Sequence, residues 1–416
     1  MELITSQADI EKIAEEADPV RLAYTTPALA EAPRALHSGM DLTRYYALHW
    51  AGISVPLAAG FLVFGWRALL LVLAMIACVW AASTIWRRIG LRGHQLHSAH
   101  LFYMTALLGA AIPAHLFSWR LPWEIGSDGI GLLIPAAALM LVMFIWAFGG
   151  TGSTRVHPVA LTALALMLLF PQLMLPRSVL EPGKLLFGDV LDAGPATGLV
   201  WGEPWTKLPT NPDYPAIYGW PASASLIGYT HGTEQSEMSS ISLSDLLRER
   251  LQPLEDLIIA GQPAPVGLGS AIAIIVGGLV LLYNSVIDYR IPLLVIVSAY
   301  VALIVLPIPT SIGVNATAWH WLVMRDPHVG WEMGLTLANY ELMAGPLLLV
   351  AFFMATWPSC RPMYRRGRAI YAIFLGISAA IFQLYVDVGY GAYLALVAAS
   401  MLTPLIDRLM RPRALV

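Results

Sequence analysis

The sequence predicts an all-α integral membrane protein of about ten transmembrane helices in two groups of five. Composition is the first reason. The 416-residue chain is 57% hydrophobic and 12% charged, with a mean hydropathy of +0.66. Soluble domains carry about 25% charged residues. The second reason is a series of apolar runs, each long enough to cross a bilayer. They fall at 48–66, 67–86, 100–118, 129–148, 157–175, 268–287, 291–310, 341–357, 369–385 and 388–405. The third is the placement of arginine, which clusters in alternate connections.

Each part can be justified in chain order. Segment 1–45 is acidic and polar and lacks the basic start and apolar core of a cleaved signal peptide. A surface amphipathic helix and a frayed cytoplasmic tail both fit it. The first five runs occupy 46–176 and the second five 266–408, with a tail at 409–416. With a cytoplasmic N-terminus, the inside connections hold Arg87, Arg88, Arg92, Arg155, Arg290, Arg361, Arg365, Arg366 and Arg368. The tail adds Arg408, Arg411 and Arg413, and both termini are then cytoplasmic. Segment 177–265 falls outside, with five basic residues against eleven acidic ones. It is too long for a plain connection. Its end, "SLSDLLRERLQPLEDLIIAG", reads as an amphipathic helix capped by Ser244. "WHWLVMRDPH" (319–328) reads as an interfacial aromatic belt in an outer connection.

Several function classes drop out. A net charge of −3 on so apolar a chain implies no nucleic-acid partner. Cys78 and Cys360 are far apart and form neither a disulfide framework nor a metal-spaced pair. His94, His97 and His100 recur at helical spacing, with His115 further along the same span. Intramembrane histidines can ligate haem or metal. Interfacial or packed histidines are the expectation here, which argues against haem. Glycine interrupts two further stretches, "FGGTGSTRVHP" (148–158) and "GLGSAIAIIVGG" (267–278). They are either close-packing contacts through small residues or irregular backbone lining a site.

Together these stretches resemble one family: the membrane subunits NqrB of the sodium-pumping NADH:quinone reductase and RnfD of the Rnf electron-transport complex. The resemblance spans about 40–410. "FGWRALL" (64–70) looks like the start of the family's second span. "FGGTGSTRVHPVAL" is similar to its FGGLGxNxFNPA. "NSVIDYRIPL" (284–293) resembles xxxIDWRIPL, and "MLTPLIDR" (401–408) is also similar to a family stretch. "AFFMATWPSCRPMYRRGRAIY" (351–371) resembles GAFFMATDPVTSPxTxxGRxIYG, with Ala372 in place of the last glycine. The resemblance implies two inverted five-helix repeats in a bacterial inner membrane, and partnership with lipid and with other subunits of a membrane complex. It also implies flavin: an FMN esterified to a threonine in D-[GA]-x-[ST]-G-A-T-P-L, and in some members a non-covalent flavin.

This chain departs from the pattern where flavin chemistry would sit. The best register for the attachment motif is "EMSSISLSDL" (237–246), with Ser242 at the acceptor position and no Gly-Ala-Thr core. That loss argues against covalent FMN at Ser242, and Thr197 in "GPATG" is a weaker alternative. The family Asp of ATDP is Trp357, the Asn of NPA is His157, and an acidic residue of GETS becomes Leu268. A retained FMN or riboflavin is expected between the repeats, near Gly149, Gly150, Gly152, His157, Thr356 and Trp357. Trp357 would either stack on its ring or fill its place, packing against "FGGTG" or span ten. The expected function is electron transfer through or along the membrane within an Rnf/Nqr-like complex. The alternatives are a flavin-free structural or assembly subunit and, third, a small-molecule or ion transporter.

Overall fold

The computed structural model describes residues 42–88, 98–116, 130–150, 154–170, 174, 254, 258–259, 264–311, 317–321, 330–386 and 388–410. Among them, helices overlap all ten apolar runs, the eighth of them lying mostly before its run. They are α1 (Leu42–Phe64), α2 (Trp66–Arg88), α3 (Ser98–Ala110), α4 (Ile130–Ala147), α5 (Pro158–Leu169), α6 (Ala271–Tyr283), α7 (Arg290–Val305), α8 (Gly330–Ala344), α9 (Arg365–Tyr385) and α10 (Val388–Leu409). Four are long and apolar enough to cross a membrane alone: α1, α2, α9 and α10. The bent continuation of α8 makes a fifth. The described residues from 46 onward form one compact unit; of 1–45 only 42–45 are described, the first turn of α1.

The ends of these helices follow from particular residues. Gly65, at a φ of 74°, lets the chain turn from α1 into α2. Helix α4 closes with Gly149 at φ 106° and Gly150 at φ 79°. The Gly149 amide donates to the Trp146 carbonyl at 3.2 Å, and that of Gly150 to Ile145 at 2.8 Å. This pair of bonds is a Schellman cap, which needs a left-handed residue. Helix α6 starts at Ser270, whose Oγ accepts the Ala273 amide at 3.4 Å.

Packing in the second half repeats that of the first. Helix α4 packs on α2 and α5; α9 packs on α7 and α10. Helix α3 packs on α2 and α5, as α8 and its continuation pack on α7 and α10. The halves also meet directly, α5 on α10. "GLGSAIAIIVGG" is a close-packing stretch: Val266 and Gly267 donate to the Ile112 and Ala110 carbonyls at 3.1 and 2.8 Å. A side chain on Gly277 would run into the Gly52 carbonyl, and one on Gly278 into the Phe352 ring. On the outside, exposed apolar residues recur one turn apart, such as Leu293, Val297, Val301 and Val305 on α7 and Ile370, Ile373, Ile377 and Ile381 on α9. Such continuous apolar stripes suit a lipid surround.

One expectation is corrected. The eighth run is not one straight helix over 341–357. Helix α8 begins at Gly330, and its polar residues Glu332, Thr336, Asn339 and Glu341 hide that start in a hydropathy reading. The chain then bends by 63° before Leu347, because Gly345 and Pro346 interrupt it and proline offers no amide. It continues as Leu347–Leu349 and a π-helical turn, Val350–Met354. The fold class is all-α as expected, and one short hairpin accompanies the helices. Ile308–Ser311 (β1) and Thr317–His320 (β2) form an antiparallel hairpin, pairing Ile308 with His320 and Ser311 with Thr317. Pro307 and Pro309 prevent α7 from continuing there. The hairpin takes in the first residues of "WHWLVMRDPH"; 322–328 lie outside the described residues.

Candidate functional site

The π-helical turn delivers the chain to a tight connection that three other motif stretches hold in place. The Ala355 amide closes the turn onto the Val350 carbonyl at 2.8 Å. The Cys360 thiol donates to the Thr154 carbonyl at 3.5 Å, and the Thr154 and Ser359 hydroxyls lie 3.0 Å apart. This ties the connection to the segment after "FGG". The Thr403 hydroxyl donates to the Cys360 carbonyl at 2.8 Å, and Asp407 accepts the Met363 amide at 3.0 Å. These two residues belong to "MLTPLIDR". Finally, Arg368 reaches back: Nε to the Pro362 carbonyl at 3.2 Å, Nη2 to that of Met363 at 3.2 Å, and Nη1 to Asp288 of "IDYR" at 2.9 Å. Arg368 is therefore more than a topological anchor; it clamps the turn to the start of α7.

Asp288 also accepts the Arg290 amide at 3.2 Å. Burial raises its carboxyl, but the bonds from Arg368 and Arg290, with the positive charges of Arg368 and Arg361, outweigh that and hold it below the usual value. A depressed folded value contributes stability above the unfolded carboxylate pKa, near 4, that is lost as pH falls through the folded value. Both side chains are partly exposed, so Asp288→Asn should cost under about 1 kcal/mol at neutral pH. Melting curves of parent and variant should converge on acidification; a gap that widens would contradict the clamp.

Within this frame Trp357 is buried, 3% exposed, at the centre of a ring cluster. Tyr103 lies nearly parallel to it, centroids 5.5 Å apart and planes at 18°. His100 is at 5.4 Å and Tyr46 at 6.2 Å, both tilted. His49 and His157 stand edge-on at 5.6 and 6.4 Å. All five spacings suit direct aromatic packing. Trp357 packs not against span ten but among rings from α1, α3 and the turn before α5. Tyr46, His49 and Tyr103 had not been singled out. Their signal was present: each is a polar-tipped ring inside an apolar span. His100 is a packed histidine, and two further spans supply histidines at its depth, which spacing within one segment cannot reveal. Among the described residues, no group of three or more His, Cys, Asp or Glu could hold a metal ion.

The other expected site residues have structural occupations. Gly149 and Gly150 end α4. His157 is the N-cap of α5, its Nδ1 accepting the Ala160 amide at 3.4 Å, with Pro158 in the first turn. That leaves the ring proton on Nε2, which is buried without a hydrogen-bond partner. The Thr356 hydroxyl donates to the Phe352 carbonyl at 2.8 Å. Gly152 and Ser242, as well as Thr197, His94 and His97, lie outside the described residues. A flavin needs a planar slot and polar partners for its ring edge. Here the indole is covered by neighbouring rings, and Thr356 and the His157 Nδ1 are already bonded. Among the described residues, rings already pack where a flavin ring would lie against Trp357, which suits a flavin poorly, although the His157 Nε2 proton stays unpartnered.

The motif stretches that meet at this turn are the ones on which the family resemblance rested. The description "NQR2, RnfD, RnfE family" matches residues 30–416. The chain belongs to that family. As an NQR2/RnfD/RnfE member it is 29% identical over 356 residues to the D subunit of the ion-translocating oxidoreductase complex of Halorhodospira halophila, covering 86% of each chain. Shorter matches reach two further organisms. The D subunit of the Na(+)-translocating ferredoxin:NAD(+) oxidoreductase complex of Acetobacterium woodii is 30% identical over 148 residues, 36% of this chain and 38% of that one. Its counterpart in the proton-translocating ferredoxin:NAD(+) oxidoreductase complex of Clostridium ljungdahlii is 27% identical over 149 residues, 35% and 38%. This family member is a multi-pass helical membrane protein.

Proposed function

We propose that this chain is the membrane subunit of an Rnf-like, ion-translocating redox complex, and that it works without flavin at Trp357. Family membership and the complex-subunit names of its relatives support the first half. The observation that carries the second is the ring cluster: Trp357, where the resemblance expects an acidic residue, is enclosed by Tyr46, His49, His100, Tyr103 and His157. In this reading the subunit keeps the family's frame, with its clamped turn and inter-repeat contact, while the electron carriers sit on other subunits. The flavin content of the purified chain tests it, and none is expected at this place.

The arginine bias supports a bacterial cytoplasmic membrane with both termini and the 355–364 turn on the cytoplasmic side. The apolar stripes on α7 and α9 would face lipid. Thr210→Cys, in a chain whose native cysteines are replaced, should react with an impermeant maleimide from the outside only. Labelling from the cytoplasmic side only would reverse the topology.

A further inference from the structure

Glu341 is a second polar group at membrane depth, and nothing above uses it. It lies in α8, one turn before the Gly345–Pro346 break, and is fully buried. Both its carboxylate oxygens are buried without a hydrogen-bond partner. Beside it stands Gln383 of α9, also fully buried. The Gln383 Nε2 donates to the Glu341 backbone carbonyl at 3.4 Å. Its Oε1 has no partner. Three buried side-chain oxygens on these two neighbouring residues thus have no donor assigned to them.

The described residues of the helices beside it offer no compensating charge. Beyond Arg290, α7 carries no charged residue, and neither does α9 beyond Arg368. The adjoining core is Ala302, Leu303, Ala338, Ala380 and Leu384. The titratable groups at its border are Tyr300 and Tyr385, and the Tyr385 hydroxyl donates to the Pro307 carbonyl at 2.7 Å. A bare carboxylate in such a place costs several kcal/mol, so it must be neutralised by something that arrives from solution.

The backbone points the same way. Pro346 cannot donate to the Leu342 carbonyl, so the helix end beside Glu341 lacks one of its usual donors. The equivalent helix of the first half, α3, is also interrupted: it stops at Ala110, and Pro113 precedes a short 3₁₀ turn, Ala114–Leu116. Proline-broken helices in corresponding positions of two repeats are where transport proteins hold their coupling ions. We propose that Glu341, with Gln383 and the broken end of α8, binds one monovalent cation, a proton or Na⁺. The site stands whether or not flavin binds at Trp357.

Full-length chain in lipid vesicles tests this with two measurements. The first is labelling by a hydrophobic carbodiimide, which attacks protonated buried carboxyls, read by mass spectrometry. The second is the melting temperature in NaCl and in choline chloride over a range of pH, for the parent and for Glu341→Gln. The expected result is an adduct on Glu341, and a cation-dependent melting temperature in the parent that Glu341→Gln loses. If the ion is Na⁺, saturating NaCl should slow labelling about tenfold and raise the parent's melting temperature. If it is a proton, NaCl should do neither, and rising pH should lower the parent's melting temperature relative to the variant's. Glu341→Asp keeps the carboxylate and should keep the dependence, which covers failure of the Gln variant to fold. Parallel responses of parent and Glu341→Gln to both pH and Na⁺ would overturn the proposal.

Discussion

Trp357→Ala should cost the folded chain about 3–5 kcal/mol, the range for deleting a large buried aromatic side chain. The effect belongs at the upper end of single substitutions because of where the ring sits. It is 3% exposed and touches five other rings on three separate segments. Two of those segments, the starts of α1 and α3, meet the 355–364 turn through it. Trp357→Asp should be worse. It opens the same cavity and adds a carboxylate among apolar faces, whose neutralisation has its own cost. Trp357→Phe keeps a ring and should lose less than either. Unfolding in mixed micelles of the three variants gives the order Phe, Ala, Asp. A Trp357→Asp variant as stable as its parent would mean that the acidic residue still has a partner here.

Gly376→Ala should be the second large effect, although on an ordinary helix the same change stabilises by about 1 kcal/mol. A Cβ at Gly376 would run into the Ser298 hydroxyl and the Val295 carbonyl, and would come within 2.9 Å of the Ala299 amide nitrogen. All three belong to α7, so the α7–α9 crossing must open. Overpacking of this kind costs about 1–3 kcal/mol. Ser298→Ala, made together with Gly376→Ala, should restore part of the loss and not all of it, since the backbone atoms remain. Full rescue would show that the hydroxyl alone sets the spacing.

What the sequence made legible depended on the range of the interaction. The apolar helices were visible because burial in lipid writes itself as continuous apolar runs; the caps at Ser270 and His157, though local, had not been singled out. The end of α4 was visible as glycine but not as a Schellman cap, since the backbone could equally have lined a site. The start of α8 was hidden by Glu332, Asn339 and Glu341, which lower hydropathy in a segment that is nevertheless helical. The ring cluster was illegible for a different reason. Tyr46, His49, Tyr103 and His157 are far from Trp357 in sequence, and only the packing of α1, α3 and the turn before α5 brings them to it. The motif stretches gave the family, and the reason for them emerged only from contacts: Asp288 to Arg368, Thr403 to Cys360, Asp407 to Met363.

The central claim is that Trp357 takes the place of a flavin. It is tested most directly by the visible absorption of the full-length chain, purified from cells with normal flavin supply, before and after acid precipitation. The account predicts no flavin in the acid supernatant, so that no FMN or riboflavin is held non-covalently. Flavin released in equal molar amount to protein, and lost when Trp357 is replaced by Ala, would contradict it and make Trp357 a stacking partner instead.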